Sequence, residues 1–178
     1  MTEVCRTIIK LRPKTALDLG SGFGKYGVLL REYMDVWFGR PFPHTWEGRI
    51  DCVELWRPYI TPLYDAVYDN IFIEDIRDFI KDPPEGALPM YDLCYFGDVI
   101  EHFPKEEGLD ILRRIPARHV LLQTPNFDTN PNRPALYGNE AELHLSRFYA
   151  PDFEGKPGAT IICQNRLLLV LIDKGVWR

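Results

Sequence analysis

Three glycines spaced by two residues form the segment of this sequence best suited to hold a ligand against the backbone. Gly20, Gly22 and Gly24 lie in the run DLGSGFG, which follows a short apolar stretch, Ala16–Leu19. Glycine has no Cβ, so the loop can adopt positive φ and let a ligand lie close. Amide groups at the start of the next helix suit an anionic or polar ligand. The spacing GxGxG fits a dinucleotide fingerprint only loosely, although Gly27 keeps the longer pattern open, and a plain strand-to-helix turn is the alternative.

Acidic residues follow the next three apolar runs. Glu54 closes the second run, where a doubly wound sheet places an acid that accepts hydrogen bonds from a ribose diol. Asp75 follows the third run beside the apolar Ile76, so it could accept from an exocyclic amine while Ile76 covers the ring. Asp98 follows the fourth run. Surface solvation or helix capping would explain any one acid, but acids after consecutive strands favour one shared site.

The apolar periodicity predicts alternating strands and helices. The predicted strands are Ala16–Leu19, Ile50–Glu54, Ile71–Ile73, Tyr91–Phe96, His119–Gln123, Thr160–Gln164 and Arg166–Asp173. The predicted helices are Glu3–Lys10, Tyr26–Trp37, Pro58–Val67, Asp78–Ile80, Lys105–Arg114 and Leu145–Tyr149. This alternation indicates an α/β fold with a doubly wound parallel sheet, whose ligands bind outside the carboxyl ends of the strands.

Composition narrows the class of protein. With 178 residues and 46% hydrophobic content, the chain suits one domain, residues 1–178. A net charge of −5 disfavours a broad nucleic-acid surface. The sequence has neither an apolar run long enough to span a membrane nor a signal-peptide core at its start, so we expect no membrane partner and a cytoplasmic location. No cysteine pair has zinc or redox spacing, and we predict reduced core thiols and no metal site.

Five motifs together resemble the class I S-adenosylmethionine-dependent methyltransferases. They are DLGSGFG at 18–24, VEL at 53–55, EDI at 74–76, YDLCYFGDVIEHF at 91–103 and HVLLQTPN at 119–126. The likeness runs from Leu17 to Asp173, and the DVIEH run is its most specific part. It implies a seven-stranded, mostly parallel sheet in the order 3-2-1-4-5-7-6, with strand seven antiparallel, in a three-layer αβα sandwich. It also implies that the methyl donor lies over the carboxyl ends of strands one, two and four.

The resemblance assigns a role to each predicted cofactor-binding residue. The glycine loop would surround the amino-acid half of S-adenosylmethionine, with Asp18 orienting the loop and meeting the ammonium group. Glu54 would hold the ribose, and Asp98 would lie near the methionine portion. Lys25 and Tyr26 are candidates for the donor carboxylate. The predicted set is Asp18, Gly20, Ser21, Gly22, Gly24, Tyr26, Glu54, Leu55, Trp56, Asp75, Ile76, Asp98 and Val99, of which Leu55 or Trp56, with Asp75 and Ile76, would contact the adenine.

Two histidines are the predicted catalytic residues. Methyl transfer is an in-line displacement from a sulfonium, which alignment and exclusion of water can accelerate without a base. A hydroxyl or carboxylic acid acceptor would need a base, and His102 is the best-placed candidate. A helix cap is the alternative role for His102. His144 is a second candidate, by analogy with a lid histidine in related domains.

Residues 37–49 depart from the compact pattern. The separation between Asp18 and Glu54 exceeds the roughly 20 residues expected between a glycine loop and its ribose acid. The extra residues could form a lid, an oligomer contact or a packed flap. The sequence does not identify the methyl acceptor.

Three functions are consistent with the sequence. The first is a methyltransferase acting on a small-molecule or carrier-attached acceptor, by O- or N-methylation. The second is a catalytically silent methyltransferase-fold binding protein. The third is a nicotinamide-dependent oxidoreductase, which would have a longer glycine pattern and would lack the closing pair of strands.

Overall fold

The computed structural model describes residues 2–126 and 138–177. Its strands are β1 (Thr15–Leu19), β2 (Arg49–Val53), β3 (Asn70–Phe72), β4 (Tyr91–Gly97), β5 (Ala117–Pro125), β6 (Ala159–Gln164) and β7 (Leu167–Asp173). They form one sheet in the order β3-β2-β1-β4-β5-β7-β6. Strand β7 is antiparallel to β5 and β6, whereas β1 pairs in parallel with β2 and β4. The expected strand order and the antiparallel seventh strand are therefore confirmed.

The chain forms two compact units, Met1–Tyr95 with Pro116–Arg118 and Phe96–Ile115 with His119–Arg178. The longer helices are α1 (Thr2–Leu11), α2 (Lys25–Met34), α3 (Pro62–Val67), α4 (Ile76–Lys81) and α5 (Lys105–Arg114). Helices α1 to α4 lie in the first unit and α5 lies in the second. Within 2–126 and 138–177, the structure has no helix long and apolar enough to cross a bilayer.

The core of the first unit forms around β1 and β2. All but the first residue of each strand is buried, as expected for parallel strands that are covered on both faces. Helix α2 packs closely on Tyr68 through Gly27, since a Cβ built on Gly27 would lie 2.3 Å from the ring carbon Cζ of Tyr68. The absence of a side chain at Gly27 therefore leaves room for the Tyr68 ring to pack against α2.

The core of the second unit contains β5, β7 and two buried rings, Phe148 and Phe153. Helix α5 approaches this core at Gly108, where a built Cβ would lie 3.2 Å from the Phe148 ring and 3.0 Å from Ile100. Ile100 belongs to a single 3₁₀ turn, Ile100–His102, that follows β4. This turn carries the EH pair of the DVIEH motif.

Asp35 anchors the 37–49 segment in the first unit. Its fully buried carboxylate accepts hydrogen bonds from the backbone N–H groups of Glu47 (2.9 Å) and Gly48 (3.2 Å) and from Arg40 (2.9 Å). Burial alone would raise the pKa of Asp35, but these bonds and one from Arg31 together lower it. These bonds fix the end of the segment that precedes β2. An oligomer contact through the segment stays a prediction.

One predicted helix is absent, and three others have clearly different bounds. Leu145–Tyr149, all of which the structure describes, is not helical, and the N–H groups of Leu145 and Ser146 donate to the Glu101 carbonyl (2.8 and 3.0 Å). The helix expected at Asp78–Ile80 is longer and spans Ile76–Lys81. Pro58–Val67 is divided: a 3₁₀ turn at 57–59 precedes α3, which Thr61 caps. Helix α2 stops at Met34 instead of Trp37, and a 3₁₀ turn follows.

Gly27→Ala should destabilise the protein by about 1–3 kcal/mol, because the new methyl group overlaps the Tyr68 ring. Urea unfolding measures the change. In a Tyr68→Leu background the clashing ring atoms are gone, and the same substitution should be neutral or stabilising, since alanine favours helices by about 1 kcal/mol over glycine. Equal destabilisation in both backgrounds would contradict this packing account.

Candidate functional site

The loop between β1 and α2 needs its glycines. Gly20, Gly22 and Gly24 have φ values of 78°, 57° and 92°, which side chains with a Cβ rarely adopt. The N–H groups of Gly20 and Ser21 donate to the carbonyl of Val53 at the end of β2 (2.9 and 3.2 Å). A Cβ built on Gly22 would meet no atom within 4 Å. The loop is therefore held to β2 on one side and has open space beside Gly22.

The Glu54 carboxylate joins the loops that follow β1 and β2. Its Oε2 accepts from the N–H of Gly22 and its Oε1 from the N–H of Trp56, both at 2.8 Å. Glu54 is only 7% exposed. Charge-assisted bonds of this kind are shorter and stronger than neutral ones, so Glu54 fixes the shape of this edge of the sheet.

The carboxyl group of Asp18 lies beneath the glycine loop. It is 1% exposed and accepts a hydrogen bond from the Tyr68 hydroxyl (2.5 Å). Burial raises the pKa of Asp18 to about 7, although the Tyr68 bond opposes the rise and the nearby Glu54 charge adds to it. The buried position fits the loop-orienting part of its predicted role. A contact with a donor ammonium group stays a prediction.

Two tyrosines that the predicted site did not include stabilise the loop. One lies in α3 and the other directly follows it. Tyr64 and Ser21 have their hydroxyl oxygens 3.0 Å apart, and the Tyr64 hydroxyl also donates to the Gly22 carbonyl. Tyr68, one turn later, contacts Asp18. Burial raises the pKa of both phenols, which keeps them as donors. Their spacing of four residues predicts that both lie on one face of a helix. The sequence does not show that this face contacts the glycine loop.

The remaining predicted residues of the first unit differ in exposure and contacts. The Tyr26 ring packs on Tyr95 with centroids 3.9 Å apart, and the Lys25 ammonium group lies over Tyr26 at 4.6 Å. Leu55 is half exposed, and the Trp56 ring packs edge-on against another aromatic ring. The cofactor roles of these residues stay predictions.

Asp75 caps a helix, which was the alternative to a cofactor contact in the sequence-based prediction. Its carboxylate caps α4 by accepting from the Arg77 N–H (2.8 Å), and it pairs with the Arg77 guanidinium at 2.6 Å. The Arg77 bonds outweigh burial and lower the pKa of Asp75. The neighbouring Ile76 is 8% exposed. An adenine contact would have to share the Asp75 carboxylate with Arg77.

In the second unit, Asp98 follows β4 in a conformation rare for a residue with a side chain. Its φ is 57°, and Gln123 holds it from β5 by donating to its carboxylate (2.9 Å) and accepting from its N–H (2.8 Å). Such backbone strain is typical of functional sites. The next residue, Val99, is 9% exposed.

Glu101, His102 and His144 lie together in the second unit. Their potential ligand atoms are all within 4.8 Å of one another, and the centroids of the two histidine rings are 4.9 Å apart. Glu101 is 3% exposed and accepts from the Thr124 hydroxyl (3.0 Å). Burial raises the pKa of Glu101 to about 8, and the charges of Asp98 and Glu142 contribute.

The two ring nitrogens of His102 face backbone carbonyl oxygens. Nδ1 is 3.2 Å from the oxygen of Leu143, and Nε2 is 3.1 Å from that of Asp98. A histidine that capped α5 would accept from the N–H groups of that helix. Both contacts of His102 are with carbonyl oxygens, which are acceptors, so they do not form such a cap. The structure thus brings together both predicted catalytic histidines, and their catalytic roles stay predictions.

Several solved methyltransferase structures share this fold. The chain is similar to an O-methyltransferase family protein from Burkholderia thailandensis, with 16% identity and a TM-score of 0.61. It is also similar to the methyltransferase domain of bacterial CtHen1, with 15% identity and a TM-score of 0.60. A third is the N-terminal domain of EvdMO1 with SAH bound, at 11% identity and a TM-score of 0.62.

These likenesses cover nearly all of this chain. They span 97%, 97% and 96% of it, and 55%, 96% and 79% of the respective structures. The chain therefore spans about half the length of the Burkholderia protein. No protein-family model and no curated protein sequence matches it. The fold is that of the class I S-adenosylmethionine-dependent methyltransferases.

The buried carboxyl of Asp18 should make stability depend on pH. Because its pKa rises from 3.8 to about 7 on folding, its favourable contribution is complete below pH 3.8 and is lost as pH rises through about 7. Asp18→Asn keeps an oxygen that can accept from Tyr68 but cannot ionise. Relative to wild type, this variant should gain one to a few kcal/mol between pH of about 4 and about 8, at about 1.4 kcal/mol per pKa unit.

Urea unfolding of both proteins across that range measures the difference. A constant stability difference at every pH would contradict the raised pKa of Asp18.

Proposed function

We propose that this chain is an S-adenosylmethionine-dependent methyltransferase that acts on a small-molecule or carrier-attached acceptor. The observation that carries the proposal is the open side of the glycine loop at Gly22, next to the Glu54 carboxylate. The fold supports it, because structures with this fold include EvdMO1 and PigF with SAH bound.

The residues at this loop fit the donor. Each carboxylate oxygen of Glu54 accepts one N–H, from Gly22 or from Trp56. A carboxylate oxygen can accept more than one hydrogen bond, and we propose that the ribose hydroxyls of the donor also donate to Glu54. The space beside Gly22 gives the donor access to the backbone, and the half-exposed Leu55 offers apolar surface.

When bound, S-adenosylmethionine supplies an electrophilic methyl group on a sulfonium. The protein's own contribution in the first unit is to position this group, since Asp18, Tyr64 and Tyr68 hold the loop in one shape. Alignment of reacting groups can supply about 7–11 kcal/mol of a barrier. We further propose that His102 or His144 assists an acceptor that must lose a proton.

The structure also bears on the alternatives. An oxidoreductase was expected to lack a closing pair of strands, whereas β6 and β7 form one. A silent binding protein would keep the donor site without turnover, so only an acceptor assay separates it from an enzyme. All four cysteines are free thiols, which is consistent with our proposal of a cytoplasmic location.

Calorimetric titration tests the donor site. We expect S-adenosylhomocysteine to bind the wild type with micromolar affinity, about −8 kcal/mol, and NADH not to bind. Glu54→Ala should weaken S-adenosylhomocysteine binding more than tenfold, because the ribose bonds and the Gly22 anchor are both lost. Glu54→Gln, which keeps one oxygen acceptor, should have an intermediate effect.

His102→Ala is the comparison variant and should leave donor affinity nearly intact. Thermal unfolding of each variant checks that it is folded. Unchanged affinity in folded Glu54→Ala would remove Glu54 from the donor site, and binding of NADH alone would favour the oxidoreductase.

A further inference from the structure

The strongest unassigned arrangement of side chains is the group formed by Glu101, His102 and His144. Two members are adjacent in the 3₁₀ turn after β4, and the third comes from the irregular segment that precedes β6. Because each offers one ligand atom within 4.8 Å of the others, small side-chain rotations could bring all three to a single ion. The cysteine spacing predicted no metal site, and His102 and His144 were expected to act as bases.

His102 can use one ring nitrogen for a metal ion and the other for a hydrogen bond. A neutral imidazole has one N–H donor and one lone pair, and its two nitrogens lie 3.2 and 3.1 Å from carbonyl oxygens. One carbonyl can accept the N–H, and a small rotation of the ring would turn the lone pair of the other nitrogen from the second carbonyl toward an ion. A metal ligand histidine usually donates its other N–H to a carbonyl or carboxylate, and His102 has such a partner.

The carboxylate of Glu101 also favours a cation. It is 3% exposed, and Thr124 donates to one of its oxygens at 3.0 Å. Buried charges in proteins are paired or coordinate metal ions, because burying them without a partner is costly. The Glu101 carboxylate, which has little contact with water, is therefore suited to hold a divalent ion.

We propose that Glu101, His102 and His144 bind a divalent transition-metal ion. Two imidazoles and one carboxylate form a ligand set known for zinc, with further positions open to oxygen ligands. Imidazole also suits other first-row ions, whereas Mg²⁺ prefers ligands that are all oxygen. The open positions would take water or an acceptor oxygen, and with the ion bound, polarisation of that oxygen would take the place of a histidine base. This inference does not rest on donor binding at the glycine loop.

Metal titration of protein purified without a histidine tag and stripped with a chelator tests the proposal. Zn²⁺ is added in a calorimeter, and Co²⁺ is followed by its visible absorption, which distinguishes nitrogen and oxygen ligands from thiolates. We expect one Zn²⁺ per chain and a Co²⁺ spectrum without a thiolate charge-transfer band. Zn²⁺ should also raise the melting temperature, because it binds only the folded site.

The four histidines of the chain provide matched variants. His102→Ala, His144→Ala and Glu101→Gln should each weaken Zn²⁺ binding more than tenfold. His44→Ala and His119→Ala, which change histidines outside the group, should bind as the wild type does. His144 is only partly buried, so its variant should fold, which circular dichroism checks.

No Zn²⁺ or Co²⁺ binding by the folded wild type would overturn the proposal. Binding that survives both His102→Ala and His144→Ala would overturn it as well, since the ion would then be held elsewhere. Because the readout is metal affinity, failure here leaves the proposal of methyl transfer untouched, and failure of donor binding leaves this one untouched.

Discussion

The carboxylate of Glu54 is the constraint on which the candidate donor site depends. It receives one backbone N–H from the loop after β1 and one from the loop after β2, at Gly22 and Trp56. A polar backbone group buried without a partner costs about 1–3 kcal/mol, so both loops are stabilised where they meet this acid. In our proposal, the same carboxylate also accepts from the ribose of the donor. One residue would then both shape the site and bind the ligand.

Behind that edge, buried polar groups keep the loop in place. Asp18 lies under the loop with its carboxyl bonded to Tyr68, and Tyr64 reaches both Ser21 and Gly22. Such networks are stabilising only when their members are satisfied, and the close approach of Tyr68 to Gly27 accompanies the bond of its hydroxyl to Asp18. The second unit has its own buried acid, Glu101, and there the partners are Thr124 and, in our proposal, a metal ion.

The sheet and the glycine loop were predictable, whereas the side-chain partners were not. Strand order follows from the family resemblance that five different motifs carry, and GxGxG requires a particular backbone whatever surrounds it. By contrast, Leu145–Tyr149 has helical spacing but is not helical, and its first two N–H groups donate to the Glu101 carbonyl, which is distant in sequence. Tyr64 and Tyr68 were missed for the same reason, since a hydroxyl's partner depends on tertiary packing. The clustering of His102 with His144 likewise depends on where the irregular segment at 143–149 lies in the fold.

The measurement that tests the central claim most directly is a crystal structure of the protein with S-adenosylhomocysteine. We predict density for the ligand beside Gly22, with its ribose hydroxyls in hydrogen-bond contact with Glu54 and the bonds from Gly22 and Trp56 to that carboxylate retained. A ligand bound elsewhere on the chain, or a ribose that does not touch Glu54, would contradict the account.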